Sequence, residues 1–326
     1  MMSQGMNSSA LATLNTMFKS AQPQALSRLA LHDITTLVFA GGGNRCFWQA
    51  GLVTRLLDTG WRLPTQLVGT SAGAGVATSL ITGKAAQAVR ICKQLYADNP
   101  CMVDWSQAWR GRLYFAHEHI FPAWVASYLN DTTFDMMRSA RSRLRVAFAR
   151  PHPLLGLHVS TLAGTLAYMV DKHISHSIHP RLPSLLGLKQ GYMNLHDCTT
   201  TGEAQNLLSA AAAAPPFMRS RQVSGRVAID GGFVDNAPVG EAIDCKDTGC
   251  LTSSMNPSQP GTLVLLTRFY PKLPRLFGWQ GRMYLQPSRK VPISTWDCTP
   301  KTTIEQACDL GTHDAHFLLK ANTLCP

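Results

Sequence analysis

The stretch Leu67-Val68-Gly69-Thr70-Ser71-Ala72-Gly73-Ala74-Gly75 decides how this chain is read. Residues 66–68 have the character of the end of a buried strand. Residues 73–81 form a small-residue helix pattern that stops near Gly83. A strand that becomes a helix through a single residue needs a sharp, strained reversal at its apex. Glycines two places on either side remove the Cβ atoms that would collide there. Ser71 is thereby lifted above the sheet edge at the positive end of a helix, a place that suits a nucleophile. Taken alone, the stretch also fits a tight turn that contains a serine, so its neighbours decide.

Upstream, Thr35-Thr36-Leu37-Val38-Phe39-Ala40 is rich in β-formers and reads as a buried strand. It runs straight into Gly41-Gly42-Gly43-Asn44-Arg45, and a helix pattern follows over 47–58, ended by Gly60. With the strand before Ser71 this makes strand–helix–strand, the sign of a parallel sheet. Downstream, helices are expected at 85–96, 158–173 and 204–214. Strands are expected at 144–148, 192–198 and 226–229, with 263–267 as the last core strand. A helix at 303–321 closes the chain. No internal repeat is present. Residues 1–33, rich in Ser, Gln and Asn, are expected to be a flexible tail ahead of one domain over 34–326.

The chain has 326 residues, 45% hydrophobic and 15% charged, which is a globular composition. No run of about eighteen apolar residues occurs, so no membrane-spanning helix is expected. The N-terminus lacks a basic patch followed by an apolar core, and no secretory signal is expected. Nine cysteines are scattered without a Cys-x-x-Cys pair, which fits free thiols in a reducing, cytoplasmic compartment. The net charge of +11 favours an anionic partner: a phospholipid surface, a nucleic acid or an acidic substrate.

A serine hydroxyl is a poor nucleophile at neutral pH and needs a base. Gly41, Gly42 and Gly43, following a strand, let bare backbone N–H groups converge at a helix N-terminus, a nest for an anion. If the anion is the oxygen of a tetrahedral intermediate, the nest is an oxyanion hole worth about 2.7–4 kcal/mol per donor. A nucleotide phosphate loop competes with that reading. Cys46, however, stands where a dinucleotide fingerprint needs its third glycine, and no Gly-Lys-Ser/Thr follows. Asp230 ends a strand and precedes Gly231 and Gly232. A carboxylate there can take the serine's proton, and burial would raise its pKa from about 3.9. Asp-Gly is also a common turn pair.

Gly41-Gly42-Gly43-Asn44-Arg45, then Gly69-Thr70-Ser71-Ala72-Gly73, then Asp230-Gly231-Gly232, in this order, resemble the patatin-like phospholipases. The Ala/Ser-rich segment 208–214 ending in Pro215-Pro216, and Asp235-Asn236-Ala237-Pro238-Val239 after the aspartate, are similar to the family as well. The resemblance covers residues 35–242 and is weakest over 101–191. It implies a three-layer α/β/α sandwich with a mainly parallel central sheet and the nucleophile elbow after the second strand. It also implies a Ser–Asp dyad that releases fatty acids from membrane lipids, with no cofactor and no calcium. By position, Ser71 is then the nucleophile and Asp230 the base, and Gly41, Gly42 and Gly43 are the oxyanion donors. Arg45 matches the family's arginine beside that loop and is expected to organise it and also to contact the headgroup; with Gly69, Gly73, Gly231 and Gly232 it is a supporting residue. Two departures touch the packing of that loop: Ala40 stands where many members have aspartate, and Cys46 where many have glycine.

An enzyme acting on lipid must meet a surface. Residues 101–150 of the insert (about 101–190) are crowded with tryptophan, tyrosine and arginine, which suit headgroup depth and phosphates. Part of it is expected to cap Ser71, and about half of its aromatics are expected in the core. The partners expected are an acyl-lipid substrate and an anionic membrane surface, with no nucleic acid. Three rival readings stay open: acyl transfer from the same serine, a Ser–His–Asp triad using His313 or His316, and a lipid-binding scaffold without turnover. His173, His176 and His179, spaced three apart, could line one helical face, but the carboxylate that would complete a metal site is absent apart from Asp171.

Overall fold

The computed structural model describes residues 22–27, 29–105, 109, 113–152, 156–173, 178–179, 188–239 and 261–323. In chain order the strands are β1 (Gln24–Ala25), β2 (Thr36–Phe39), β3 (Gln66–Thr70), β4 (Val103–Asp104), β5 (Tyr114–Phe115), β6 (Arg143–Arg150), β7 (Lys189–Asn194), β8 (Arg221–Val223), β9 (Arg226–Asp230), β10 (Thr262–Leu265), β11 (Leu276–Trp279) and β12 (Arg282–Leu285). The helices are α1 (Phe47–Asp58), α2 (Ala72–Ile81), α3 (Ala85–Ala97), α4 (His117–Tyr128), α5 (Asp131–Ser139), α6 (Gly156–His173), α7 (Thr201–Ala211) and α8 (Ile304–Thr323).

All strands but β4 and β5 join one sheet. Its centre, β12-β10-β2-β3-β6, is parallel throughout, and antiparallel strands finish both ends. β2 and β10 read Thr-Leu-Val-Phe and Thr-Leu-Val-Leu and are buried at every position. That is the pattern of strands covered on both faces. Leu37, Phe39, Leu67, Leu144 and Leu265 share one core with buried residues of α1–α5, α7 and α8. On the opposite face Val38, Val68 and Val264 pack with Phe277, Tyr284 and Ala237. Ala149 and Ile229 lie on that second face, where Leu157 of α6 packs against their cluster. Helices thus cover both faces of a mainly parallel sheet, as the sequence predicts.

α1 and α8 approach until their backbones touch. A Cβ on Gly51 would lie 2.0 Å from the Cys308 carbonyl oxygen, and one on Gly311 would lie 2.0 Å from that of Trp48. Buried Asp314 ties the pair together: it accepts the Trp48 indole N–H at 2.8 Å and pairs with Arg275 at 2.7 Å.

Several elements differ from the sequence reading. Residues 1–21 of the expected tail lie outside the described residues. From Gln24 the chain is tied down instead: β1 pairs with β11, and Leu29 and Leu31 are buried in the main core. The sheet also continues past β10 through the β11–β12 hairpin, whose Gln280-Gly281 turn has positive φ at both residues. The strand expected at 192–198 begins earlier, at Lys189, and gives way to a 3₁₀ turn over Leu195–Asp197.

Candidate active site

Ser71 and Asp230 meet on one edge of β6. β3 runs parallel along that edge as far as Thr70, which lies opposite Ala147. β9 pairs antiparallel with β6 at the next positions, Asp230 opposite Phe148 and Ile229 opposite Ala149. β7 occupies the other edge of β6 at the same residues. The two strands therefore arrive head to head, and the residues at their tips face each other. The Ser71 hydroxyl donates to Asp230 Oδ2 at 2.6 Å, although 159 residues separate them.

The elbow has the strain its sequence implies. Ser71 sits at φ 53°, ψ −136°, between β3 and α2. A Cβ on Gly69 would lie 2.5 Å from Ala74 Cα. One on Gly73 would lie 2.6 Å from the carbonyl oxygens of both Phe39 and Ala40. Neither glycine can be replaced without moving backbone.

Asp230 is held from three sides. Its N–H donates to the Ala213 carbonyl just past α7, at 2.9 Å. Its Oδ1 accepts the Gly232 N–H at 2.7 Å. Gly231 passes so close to β6 that a Cβ would lie 2.8 Å from the Ala147 carbonyl oxygen. Asp230 is 5% exposed, and its burial pushes the pKa up to about 6, against the lowering effect of the bonds from Ser71 and Gly232.

The glycine loop is clamped through its carbonyls. Gly41 C=O accepts from Asn236 Nδ2 at 2.8 Å and from Thr267 Oγ1 at 2.6 Å. Gly42 C=O accepts from the Arg45 backbone N–H at 3.2 Å and its Nε at 3.4 Å. In a trans peptide the C=O and the following N–H point in opposite directions. Fixing these two carbonyls therefore aims the N–H groups of Gly42 and Gly43 the other way, and among the described residues neither donates to an acceptor. Gly41 corrects the sequence reading. Its own N–H donates to the Asn236 carbonyl at 2.8 Å, so it is already engaged and is not a free oxyanion donor. Its place is structural: it abuts the serine, and a Cβ there would lie 3.2 Å from Ser71 Cβ.

Asn44 carries a second clamp that the sequence did not disclose. Its side chain donates to the carbonyls of Ser294 and Asp297 and accepts from Tyr96 OH at 2.6 Å. It thereby binds the loop at 294–297 to the glycine loop. Trp296 of that loop stacks on Phe217 at 4.7 Å. Of the two departures, Ala40 and Cys46 are both buried, and the Cys46 thiol donates to the Ala40 carbonyl at 3.5 Å. Burial pushes that thiol far above its ordinary pKa, so it stays protonated and inert.

A cleft partly open to solvent is lined by Ser71, Ala72 and Gly43. Its walls are mainly apolar, with Phe47, Val76, Ile120, Phe121, Trp124 and Met218 among them. α4, from the aromatic insert, supplies one wall. Within that insert Trp124 and Tyr128 are buried, whereas Trp105 and Trp109 are 67% and 75% exposed. Arg110 and Arg112 lie outside the described residues.

The histidine alternative is not assembled. His313 and His316 are exposed on α8, and His313 meets its neighbour Asp314 at 3.4 Å. Ser71 bonds Asp230 instead. His179 bonds Asp235 at 2.8 Å and Tyr284 at 2.9 Å. His176 and the side chain of His173 lie outside the described residues. Among the described residues no group of three His, Cys, Asp or Glu could hold a metal ion, and no helix is long and apolar enough to cross a membrane.

No curated protein matches this chain. Among solved structures it is similar to that of VipD from Legionella pneumophila, at 15% identity and a TM-score of 0.32, over 74% of this chain. The match spans 50% of that protein's chain. A family model described as patatin-like phospholipase matches residues 37–243, which takes in the glycine loop, the Ser71 elbow and Asp230. That match covers well over half of the chain, and the chain belongs to the patatin-like phospholipase family.

Proposed function

We propose that this protein is a serine acyl-ester hydrolase that releases fatty acids from membrane lipids with a Ser71–Asp230 dyad. The observation that carries the reading is the 2.6 Å bond from a strained elbow serine to a buried carboxylate at the wall of an apolar cleft. The family's general activity as lipid acyl hydrolases supports the substrate class.

In the reaction, Ser71 Oγ attacks the ester carbonyl and its proton passes to Asp230 Oδ2. The N–H groups of Gly42 and Gly43 receive the developing oxyanion. They are already oriented by the clamped carbonyls, so little reorganisation is needed. Collapse of the intermediate expels the alcohol, which takes the proton from Asp230. Asp230 then removes a proton from water, which attacks the acyl-enzyme and frees the fatty acid and Ser71. A carboxylate whose pKa stands at about 6 is a better base than an ordinary aspartate and is still ionised at neutral pH. The apolar walls take the acyl chain. Arg45 organises the loop by holding the Gly42 carbonyl.

The test is release of free fatty acid from mixed phospholipid vesicles by the wild type, Ser71→Ala and Asp230→Asn. The wild type is expected to release it, and both variants are expected to fall to background. Full activity in Ser71→Ala would place the chemistry elsewhere.

A further inference from the structure

α6 is built the wrong way round for a helix of a water-soluble surface. Its buried side is small and partly polar: Ser160 is fully buried, accepting the His152 N–H at 3.1 Å, and Gly164 is buried where a Cβ would lie 2.0 Å from Leu188 Cδ1. Leu157 packs inward, but three of its large apolar residues face outward. Val159, Leu162 and Leu166 are 54%, 64% and 60% exposed, and their spacing of three and four puts them on one stripe. Ordinary surface helices show the opposite arrangement. The stripe lies on the flank of Asp230: Leu157 of the same helix packs in a cluster with Ile229, Phe233 and Val234. On the other flank, β4 and β5 lead to the exposed Trp105, Trp109 and Leu113. Phe115 of β5 touches Phe217, and Phe217 stacks on Trp296 at the cleft wall.

The sequence that carries both patches is predominantly basic. Residues 150–190 contain Arg150, Lys172, Arg181, Lys189 and five histidines against a single acid, Asp171. Residues 101–113 contain Arg110 and Arg112 against a single acid, Asp104. Exposed leucines and tryptophans among cations match a bilayer that is apolar inside and anionic at its surface.

We propose that the outer stripe of α6, with Trp105 and Trp109, docks the protein on an anionic lipid bilayer so that the cleft mouth opens onto the membrane. This rests on the lipid-hydrolase reading for its purpose, but binding can be measured apart from it. The full chain carrying Ser71→Ala is sedimented with vesicles of phosphatidylcholine alone and of phosphatidylcholine mixed with phosphatidylglycerol. It is expected to bind the mixed vesicles more tightly. Adding Leu162→Gln and Leu166→Gln is expected to weaken that binding about ten-fold or more. Trp105→Ala with Trp109→Ala is the second variant, read also by loss of tryptophan quenching in vesicles of brominated phosphatidylcholine. An unchanged melting temperature certifies each variant as folded. Unweakened binding in both variants overturns the proposal. So does a parent chain that is a dimer in solution and becomes monomeric with the leucine substitutions, which would give the stripe to a second copy. A chain that docks through the stripe but never releases fatty acid leaves the docking standing and removes the hydrolase.

Discussion

Ser71 and Asp230 reach the same point on β6 from opposite directions, and different forces fix the two arrivals. Ser71 is fixed locally. Its strand, its turn and its helix are adjacent in sequence, and Gly69 closes on Ala74 within the turn; only the contact of Gly73 with Phe39 and Ala40 reaches another strand. Asp230 is fixed from a distance. It depends on two ladder positions on β6, a bond to Ala213 and the close pass of Gly231. The serine arm is a steric construction, and the aspartate arm is an assembly of long-range contacts that forms only when the sheet is complete. The oxyanion loop borrows from both kinds: Arg45 lies within it, whereas Asn236 and Thr267 reach it from far along the chain.

The comparison breaks most completely at the aspartate's charge. Asp230→Asn keeps the shape but removes the base, and kcat is expected to fall roughly 10³–10⁴-fold in a fatty-acid release assay. Next comes the steric arm. Gly73→Ala forces a Cβ against two backbone oxygens and is expected to lower stability by about 3 kcal/mol in urea unfolding, with activity lost alongside. A smaller effect is expected at the distant clamp. Thr267→Val removes one of the two donors to the Gly41 carbonyl, loosens the aim of the Gly42 N–H, and should lower kcat about ten-fold with KM little changed. An equal change in KM would instead assign Thr267 to substrate binding.

The last prediction concerns what the buried charge costs. Asp230 holds its proton more tightly in the fold than in the unfolded chain, with a pKa of about 6 against 3.8. The folded state therefore binds more protons between these values, and stability falls as pH rises from about 4 to about 6. The rise corresponds to about 3 kcal/mol, fully lost above pH 6. Asp230→Asn is accordingly expected to melt higher than the wild type at pH 8, by an amount that shrinks towards pH 4. A difference that does not change with pH would show that the charge is not what the variant relieves.

The two arms also differ in how far the sequence reveals them. Gly69, Ser71 and Gly73 announce the elbow because its strand, turn and helix follow one another directly, although Gly73 also meets the Phe39 and Ala40 carbonyls of the neighbouring strand. The parallel strands β2, β3 and β10 announce themselves by continuous apolar runs. Asp230 by itself reads more readily as a turn, and only its order after the other motifs singles it out. The engaged N–H of Gly41 was hidden, because its acceptor lies 195 residues away on Asn236. β11 and β12 escaped notice because each has four residues and a glycine, lysine or arginine interrupts the apolar run around them. The outward leucines of α6 were legible as an apolar helix, but which side they face depends on Ser160 and Gly164 meeting their neighbours.

The most direct measurement maps a fluorophosphonate adduct by mass spectrometry across a range of pH. The adduct is expected on Ser71 alone, forming at a rate that falls as pH drops through about 6, where Asp230 gains its proton, and that is nearly abolished in Asp230→Asn. An adduct on another serine, or Ser71 labelling at full rate in Asp230→Asn, would contradict the dyad.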